Sequence, residues 1–164
     1  MSALDPKLAG TLTAALAAGP GPLLDVLNGL FLKLPGVRTV TWLAALPAKK
    51  ITRRIGTSDP QNFPLGGFDP IDEAAWSRRI YGEKLPIVGN TPAEMAPYIP
   101  ETDELVQMGY GATLCAPIVI NGEARGTVNL LGDANIFTPA LLAELNALLP
   151  IAALIFTFEG IGAR

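Results

Sequence analysis

An α+β domain built on an antiparallel sheet is what this 164-residue sequence predicts, and three observations carry the expectation. Residues 112–120 and 123–131 are rich in β-branched and aliphatic side chains and flank Asn121-Gly122, a dipeptide suited to the two positive φ values of a type I′ hairpin turn. Thr138-Pro139 then supplies an N-cap and a first-turn proline, opening a nearly unbroken apolar run over 140–158 that reads as a long helix. Residues 37–46 read as a strand apolar on both faces, which requires a sheet covered on two sides.

The other elements follow in chain order. Residues 4–18 read as a helix, Gly19-Pro20-Gly21-Pro22 breaks it, and a second helix is expected over 22–34. Its Leu23, Leu27, Leu30, Phe31 and Leu34 recur at helical spacing, so one apolar stripe needs a surface to lie on. Pro35-Gly36 ends it, and after the strand at 37–46 Pro47-Ala48 turns the chain into a more polar strand over 49–57. Residues 58–70, with Pro60, Pro64, Gly66, Gly67 and Pro70, read as a loop, and 72–81 as a short helix carrying Trp76, Arg78 and Arg79. A short strand at 85–88, a helical turn opened by Thr91-Pro92 and ending near Tyr98, and a further helix over 101–108 complete an irregular middle of the kind that folds over ligands. Pro150 is expected to kink the last helix, because it removes a donor and clashes with the preceding turn.

Composition excludes several chemistries. The chain has no histidine, which closes histidine general-base catalysis, axial haem ligation by histidine and the usual zinc sites. Its one cysteine, Cys115, has no partner for an internal disulfide, in keeping with a reducing compartment. A net charge of −3 gives no general attraction to phosphate backbones, and the densest basic cluster, Lys49-Lys50 with Arg53-Arg54, suits a solvated strand edge, so nucleic acid is not an expected partner. The alanine-rich start lacks a basic region and carries Asp5 in its place, unlike a secretory signal. The run 140–158 is interrupted by Glu144, Asn146 and Pro150, so a core or dimer helix is expected there, with no membrane partner and a cytoplasmic location.

A family resemblance rests on Leu114-Cys115-Ala116-Pro117-Ile118-Val119-Ile120-Asn121-Gly122, then Arg125-Gly126-Thr127-Val128-Asn129-Leu130-Leu131, then Phe137-Thr138 at the start of the closing helix. This order, an apolar strand with Pro-Ile, a glycine-bearing turn, a strand containing glycine and an aromatic-Thr helix start, resembles the GAF domain, the small-molecule sensor module of signalling proteins. The resemblance covers roughly 22–158 and divides the chain into an N-terminal helical extension, 1–21, and a GAF-like domain, 22–164. It implies an α+β fold with an antiparallel sheet of five or six strands, the terminal helices on one face and an irregular pocket-covering segment on the other.

Within that frame the hairpin register has local consequences. A two-residue turn places Ile120 opposite Glu123, hence Ile118 opposite Arg125, Ala116 opposite Thr127 and Leu114 opposite Asn129 on one side, with Cys115, Pro117, Val128 and Leu130 on the other. Thr127 and Asn129 are then the polar groups of a ligand floor with small Ala112 and Ala116 beside them, the alternative being that both satisfy nearby backbone. Trp42, Trp76, Tyr81, Tyr98 and Tyr110 are candidates for an aromatic lining, with core packing as the alternative. Arg78 or Arg79 could hold a carboxylate or phosphate, though adjacent helical positions diverge, so only one is expected in a pocket.

The expected function is a non-catalytic sensor that binds an unidentified small organic molecule and signals through a homodimer or a protein partner. No catalytic residue, metal ligand or cofactor is expected. The alternatives are a small enzyme resembling the free methionine sulfoxide reductases, with Cys115 or one of Glu101, Asp103 and Glu104 as the reactive group, and a structural dimerisation adaptor. Cys115 alone could form a sulfenate with no second thiol to resolve it, and its strand position suits inert packing. Dimerisation is expected through the helices at 22–34 and 139–158, with Leu141, Leu145, Leu148, Ala152 and Ile155 as contacts at helical spacing.

Overall fold

The computed structural model describes residues 4–163. Two helices open the chain, α1 (Pro6–Ala18) and α2 (Pro20–Leu32). Asp5 caps α1 by accepting from the Leu8 N–H at 3.2 Å, Pro6 occupies its first turn, and Gly19 at φ 126° lets the chain turn straight into α2, two residues earlier than the sequence suggests. Leu12 and Ala15 of α1 join the same core as α2, so the N-terminal helix is packed on the domain.

Strands β1 (Val37–Leu46), β2 (Ile51–Thr57), β3 (Phe68–Pro70), β4 (Ile87–Gly89), β5 (Ala112–Ile120) and β6 (Glu123–Gly132) form one sheet in the order β3-β2-β1-β6-β5-β4, with every neighbouring pair antiparallel. The short β3 arises inside the stretch that reads as a loop, where Thr52 and Arg53 pair with Asp69 and Phe68. One face carries Val40, Trp42, Leu114, Ala116, Ile118, Val128 and Leu130, buried against Leu23, Leu27 and Phe31 of α2. Trp42 fixes this contact twice: its ring meets Phe31 edge-on at 5.5 Å, and its Nε1–H donates to Asn28 Oδ1 at 2.7 Å.

The closing helix α6 (Pro139–Ala152) begins as the sequence predicts, with Thr138 Oγ1 accepting from the Leu141 N–H at 3.2 Å. It does not stay α-helical to residue 158. Pro150 removes a backbone donor, and the chain tightens into a 3₁₀ segment over Ala153–Thr157. Leu141, Leu145, Ala152 and Ile155 are buried in this domain's own core, which corrects their expected place in a dimer contact.

The hairpin turn matches expectation, with Asn121 at φ 52°, Gly122 at φ 77° and Ile120 opposite Glu123. The register beyond it does not. Val119 pairs with Ala124 and Ile118 with Gly126, so Arg125 is the extra residue of a β-bulge and every later side chain changes face. Thr127 therefore lies opposite Pro117 and Asn129 opposite Cys115, while Ala116 and Leu114 point to the helix side with Val128 and Leu130. Gly126 permits the bend: a Cβ there would sit 2.0 Å from the Leu43 carbonyl oxygen and against the Phe156 ring.

The second face of the sheet is roofed by short elements: α3 (Ala75–Ser77) running into a π-helical turn (Arg78–Gly82), α4 (Pro92–Met95) and α5 (Thr102–Gln107). The helix expected from residue 72 starts later because Asp72 is used in a turn, accepting from the Ala74 N–H while its own N–H donates to Ser77 Oγ. Met95, Leu105, Tyr110 and Leu131 form a second, smaller core between roof and sheet, flanked by Phe63 and Ile99.

Candidate functional site between the sheet and its roof

A strand buried on both sides ordinarily shows apolar residues on both faces, but here the roofed face is lined with hydroxyls. Thr39 and Thr41 of β1, Thr52 of β2, Thr113 of β5 and Thr127 of β6 are all buried. Threonine keeps the branched shape that a strand favours while adding a donor and an acceptor. β1 is not apolar on both faces: Thr39 and Thr41 alternate with Val40 and Trp42, and that period-2 pattern is the sequence signal for these residues.

Most of these hydroxyls are matched. Thr39 Oγ1 and the Tyr110 hydroxyl share a hydrogen bond of 2.6 Å, and Tyr110 is held from outside by the Arg38 guanidinium, 4.8 Å from its ring centre. Asn129 Nδ2 donates to Thr41 Oγ1 at 3.3 Å, and Thr113 Oγ1 donates to the Leu130 carbonyl. Thr52 Oγ1 donates to the Ala44 carbonyl at 3.2 Å and accepts from the Tyr81 hydroxyl at 2.9 Å. Thr127 Oγ1 is different. It is fully buried and makes no hydrogen bond. Such a group costs about 1–3 kcal/mol unless something pairs with it.

The residues singled out from the sequence lie in different places. Thr127, Asn129 and Tyr110 reach the roofed face, Tyr110 through Thr39. Trp76 stands in the roof, 6.1 Å from the Tyr81 ring in an edge contact, and Tyr98 is half-buried after α4, its N–H donating to the Met95 carbonyl. Trp42, in contrast, lies on the helix side of the sheet, because β1 alternates and Asn28 and Phe31 claim that ring. Arg78 is exposed, and Arg79 donates to the Pro86 carbonyl at 3.0 Å and to Glu83 at 3.3 Å, a role within the roof itself.

The candidate reactive groups are Cys115 and the acidic residues before and on α5. Burial pushes the Cys115 thiol up from its usual 9.0 to about 12, with a hydrogen bond to Thr113 acting the other way, so the thiolate is essentially unpopulated near neutral pH. Glu101, Asp103 and Glu104 are exposed on and before α5. The Tyr81 hydroxyl is likewise pushed up by burial to about 12 despite its bond to Thr52, and stays a neutral donor.

Roof and helical layer meet at Asn90. Its side chain donates to the Phe137 carbonyl at 3.2 Å and accepts from the Phe137 N–H at 2.9 Å, while its backbone N–H donates to Glu94 of α4 at 2.7 Å. One residue thus ties the roof to the segment that starts α6.

No protein-family model and no curated protein sequence matches this chain. Solved structures do. The GAF domain of a phosphoenolpyruvate-protein phosphotransferase from Coxiella burnetii is 19% identical with a TM-score of 0.69, over 96% of this chain and 96% of that one. The GAF domain of a two-component sensor histidine kinase from Bacillus halodurans is 13% identical with a TM-score of 0.68, over 84% and 93%. A GAF domain/HD domain protein from Geobacter sulfurreducens gives 14% identity and a TM-score of 0.68, over 84% and 92%. The sheet order, the helical layer on one face and the irregular roof on the other are those of the GAF-domain fold, and this chain adopts it.

Proposed function

We propose that this domain is a sensor for a small organic molecule, which it takes between the threonine-lined sheet and the roof. The observation that carries the reading is the Thr127 hydroxyl, buried without a partner next to Asn129 on a face whose other buried threonine hydroxyls are hydrogen-bonded. A ligand with a hydroxyl, carbonyl or amide group supplies the missing partner. Roof segments this short open at low cost relative to the main core, giving the ligand access. The relatives in fold include a sensor histidine kinase and a phosphotransferase, which supports placing the domain in signalling.

Occupancy reaches the rest of the molecule through Asn90, which holds the roof to the start of α6. The output is a change in association, either with a second copy through the helical layer or with a protein partner. Native mass spectrometry of the purified protein, before and after denaturation, tests the reading. A small molecule released on denaturation, and lost from Thr127→Val and Asn129→Leu proteins that fold normally, is the expected result. Equal retention by both variants would place the ligand elsewhere.

A further inference from the structure

We propose that the recess at the hairpin end of the sheet is an anion site for the phosphate group of a small molecule. It goes beyond the sensor reading, since it requires nothing to bind beneath the roof. The recess, about 670 Å³, lies between the β1–β2 turn, the end of the π-helical turn and the β5–β6 hairpin, and its walls include Lys50, Lys84, Arg125, Glu123, Gly122 and Tyr81.

Charge is the first argument. Three cationic residues and one acidic residue line the recess, and Glu123 approaches Arg125 only at 3.9 Å. Among the described residues neither Lys50 nor Lys84 has a carboxylate within 4 Å. The recess therefore carries an excess of two positive charges on a chain whose net charge is −3. A phosphate monoester, with a charge of about −1.5 to −2 at neutral pH, matches that excess more closely than a single carboxylate does.

Backbone geometry is the second and independent argument. Four non-glycine residues among those described have positive φ, and two are asparagines, the usual tenants of such positions. The other two are Lys50 at φ 51° and Lys84 at φ 58°, and both line this recess. A left-handed conformation costs a residue with a Cβ roughly 1–2 kcal/mol, and glycine or asparagine would hold either turn more easily. Arg125 reaches the same recess as the extra residue of the β-bulge, a device that re-aims a side chain. Either lysine alone suits the carbonyl end of a short helix. Two of them and a bulged arginine converging on one recess do not follow from that, and strain of this kind gathers at ligand clamps.

The test is an amide chemical-shift titration of the full chain with inorganic phosphate at constant ionic strength, with succinate as the carboxylate arm. Saturable shifts confined to Lys50, Lys84 and 122–125, weaker with succinate, are expected. The double variant Lys50→Asn/Lys84→Asn keeps residues that tolerate the left-handed turns and should weaken phosphate binding by about tenfold or more, as should Arg125→Gln alone to a lesser degree. Lys33→Asn, at the C-terminal end of α2 and outside the recess lining, should change nothing. Shifts spread over surface lysines in general, binding unaltered in both sets of variants, or succinate binding as tightly as phosphate would each overturn the proposal.

Discussion

Thr127 and Cys115 sit on the same face of neighbouring strands, and burial has opposite consequences for them. For Thr127 it leaves a hydroxyl without a partner, so Thr127→Val, nearly the same shape without the oxygen, should stabilise the ligand-free protein by about 1 kcal/mol in urea unfolding. A loss of stability instead would mean that the hydroxyl is already paired and would remove the main support for a ligand there. For Cys115 burial holds the proton on, as it does for Tyr81. Between the usual 9.0 of the thiol and about 12, and between 10.0 and about 12 for the phenol, the unfolded chain releases protons that the folded chain keeps. Stability therefore falls as pH rises through that window and is fully present below it. Melting temperature should be flat from neutral pH to about 9 and then decline, and Cys115→Ala should move the onset up toward the tyrosine's range. An onset unchanged in Cys115→Ala would show that the thiol is not held protonated by the fold. At this scale the sequence was informative wherever a polar residue stood in an apolar strand, as Thr127 and Asn129 do. It was silent on Lys50, Lys84 and Arg125, which look like ordinary surface cations until the backbone brings them together.

The hairpin shows what can and cannot be read at the scale of an element. Asn121-Gly122 announces the turn because only a few residues accept two consecutive positive φ values, and both are found. The bulge after it has no comparable signature, since Gly126 reads locally as just one more small strand residue. One extra residue then exchanges the faces of Leu114 and Cys115 relative to β6, and an inference built on strict pairing fails for all of them together. The two glycines should consequently respond to substitution on different scales. Gly122→Val strains a positive-φ position with open space around it and should cost about 1–2 kcal/mol. Gly126→Ala drives a Cβ into the Leu43 carbonyl oxygen and the Phe156 ring, forces β1 and β6 apart, and should cost more, roughly 3 kcal/mol or above. Chemical denaturation of both variants checks the order. The reverse order would mean that the bulge yields easily and that the face assignment of Thr127 rests on a soft element.

For the whole molecule, the apolar content of the closing helix exceeds what the core uses. The run Pro139–Thr157 is long and apolar enough, at a mean hydropathy of 1.9, to cross a membrane by length and composition. Only Leu141, Leu145, Ala152 and Ile155 along it are buried in the core, four of the five residues the sequence pattern reserves for a partner, while the fifth, Leu148, is half-buried. The heptad-like stripe could not reveal which surface would claim it, because a sheet face and a second subunit ask for the same spacing. What remains partly outside includes Leu142, Leu148 and Leu149, half-buried at the margin of the helical layer, with Leu4 exposed just before α1 and Leu32 exposed on α2. A closed twofold pairing would cover this layer on both copies at once, with the same residues on each side. Light scattering after size exclusion should then give a dimer at micromolar concentration. Leu149→Glu, whose charge would have to be buried in that interface, should give a folded monomer, whereas Leu145→Glu should unfold the domain by placing a carboxylate in its core. A wild-type monomer, or a dimer indifferent to Leu149→Glu, would remove the helical layer from the signalling route and leave Asn90 and the start of α6 as the surface through which a different protein reads the roof.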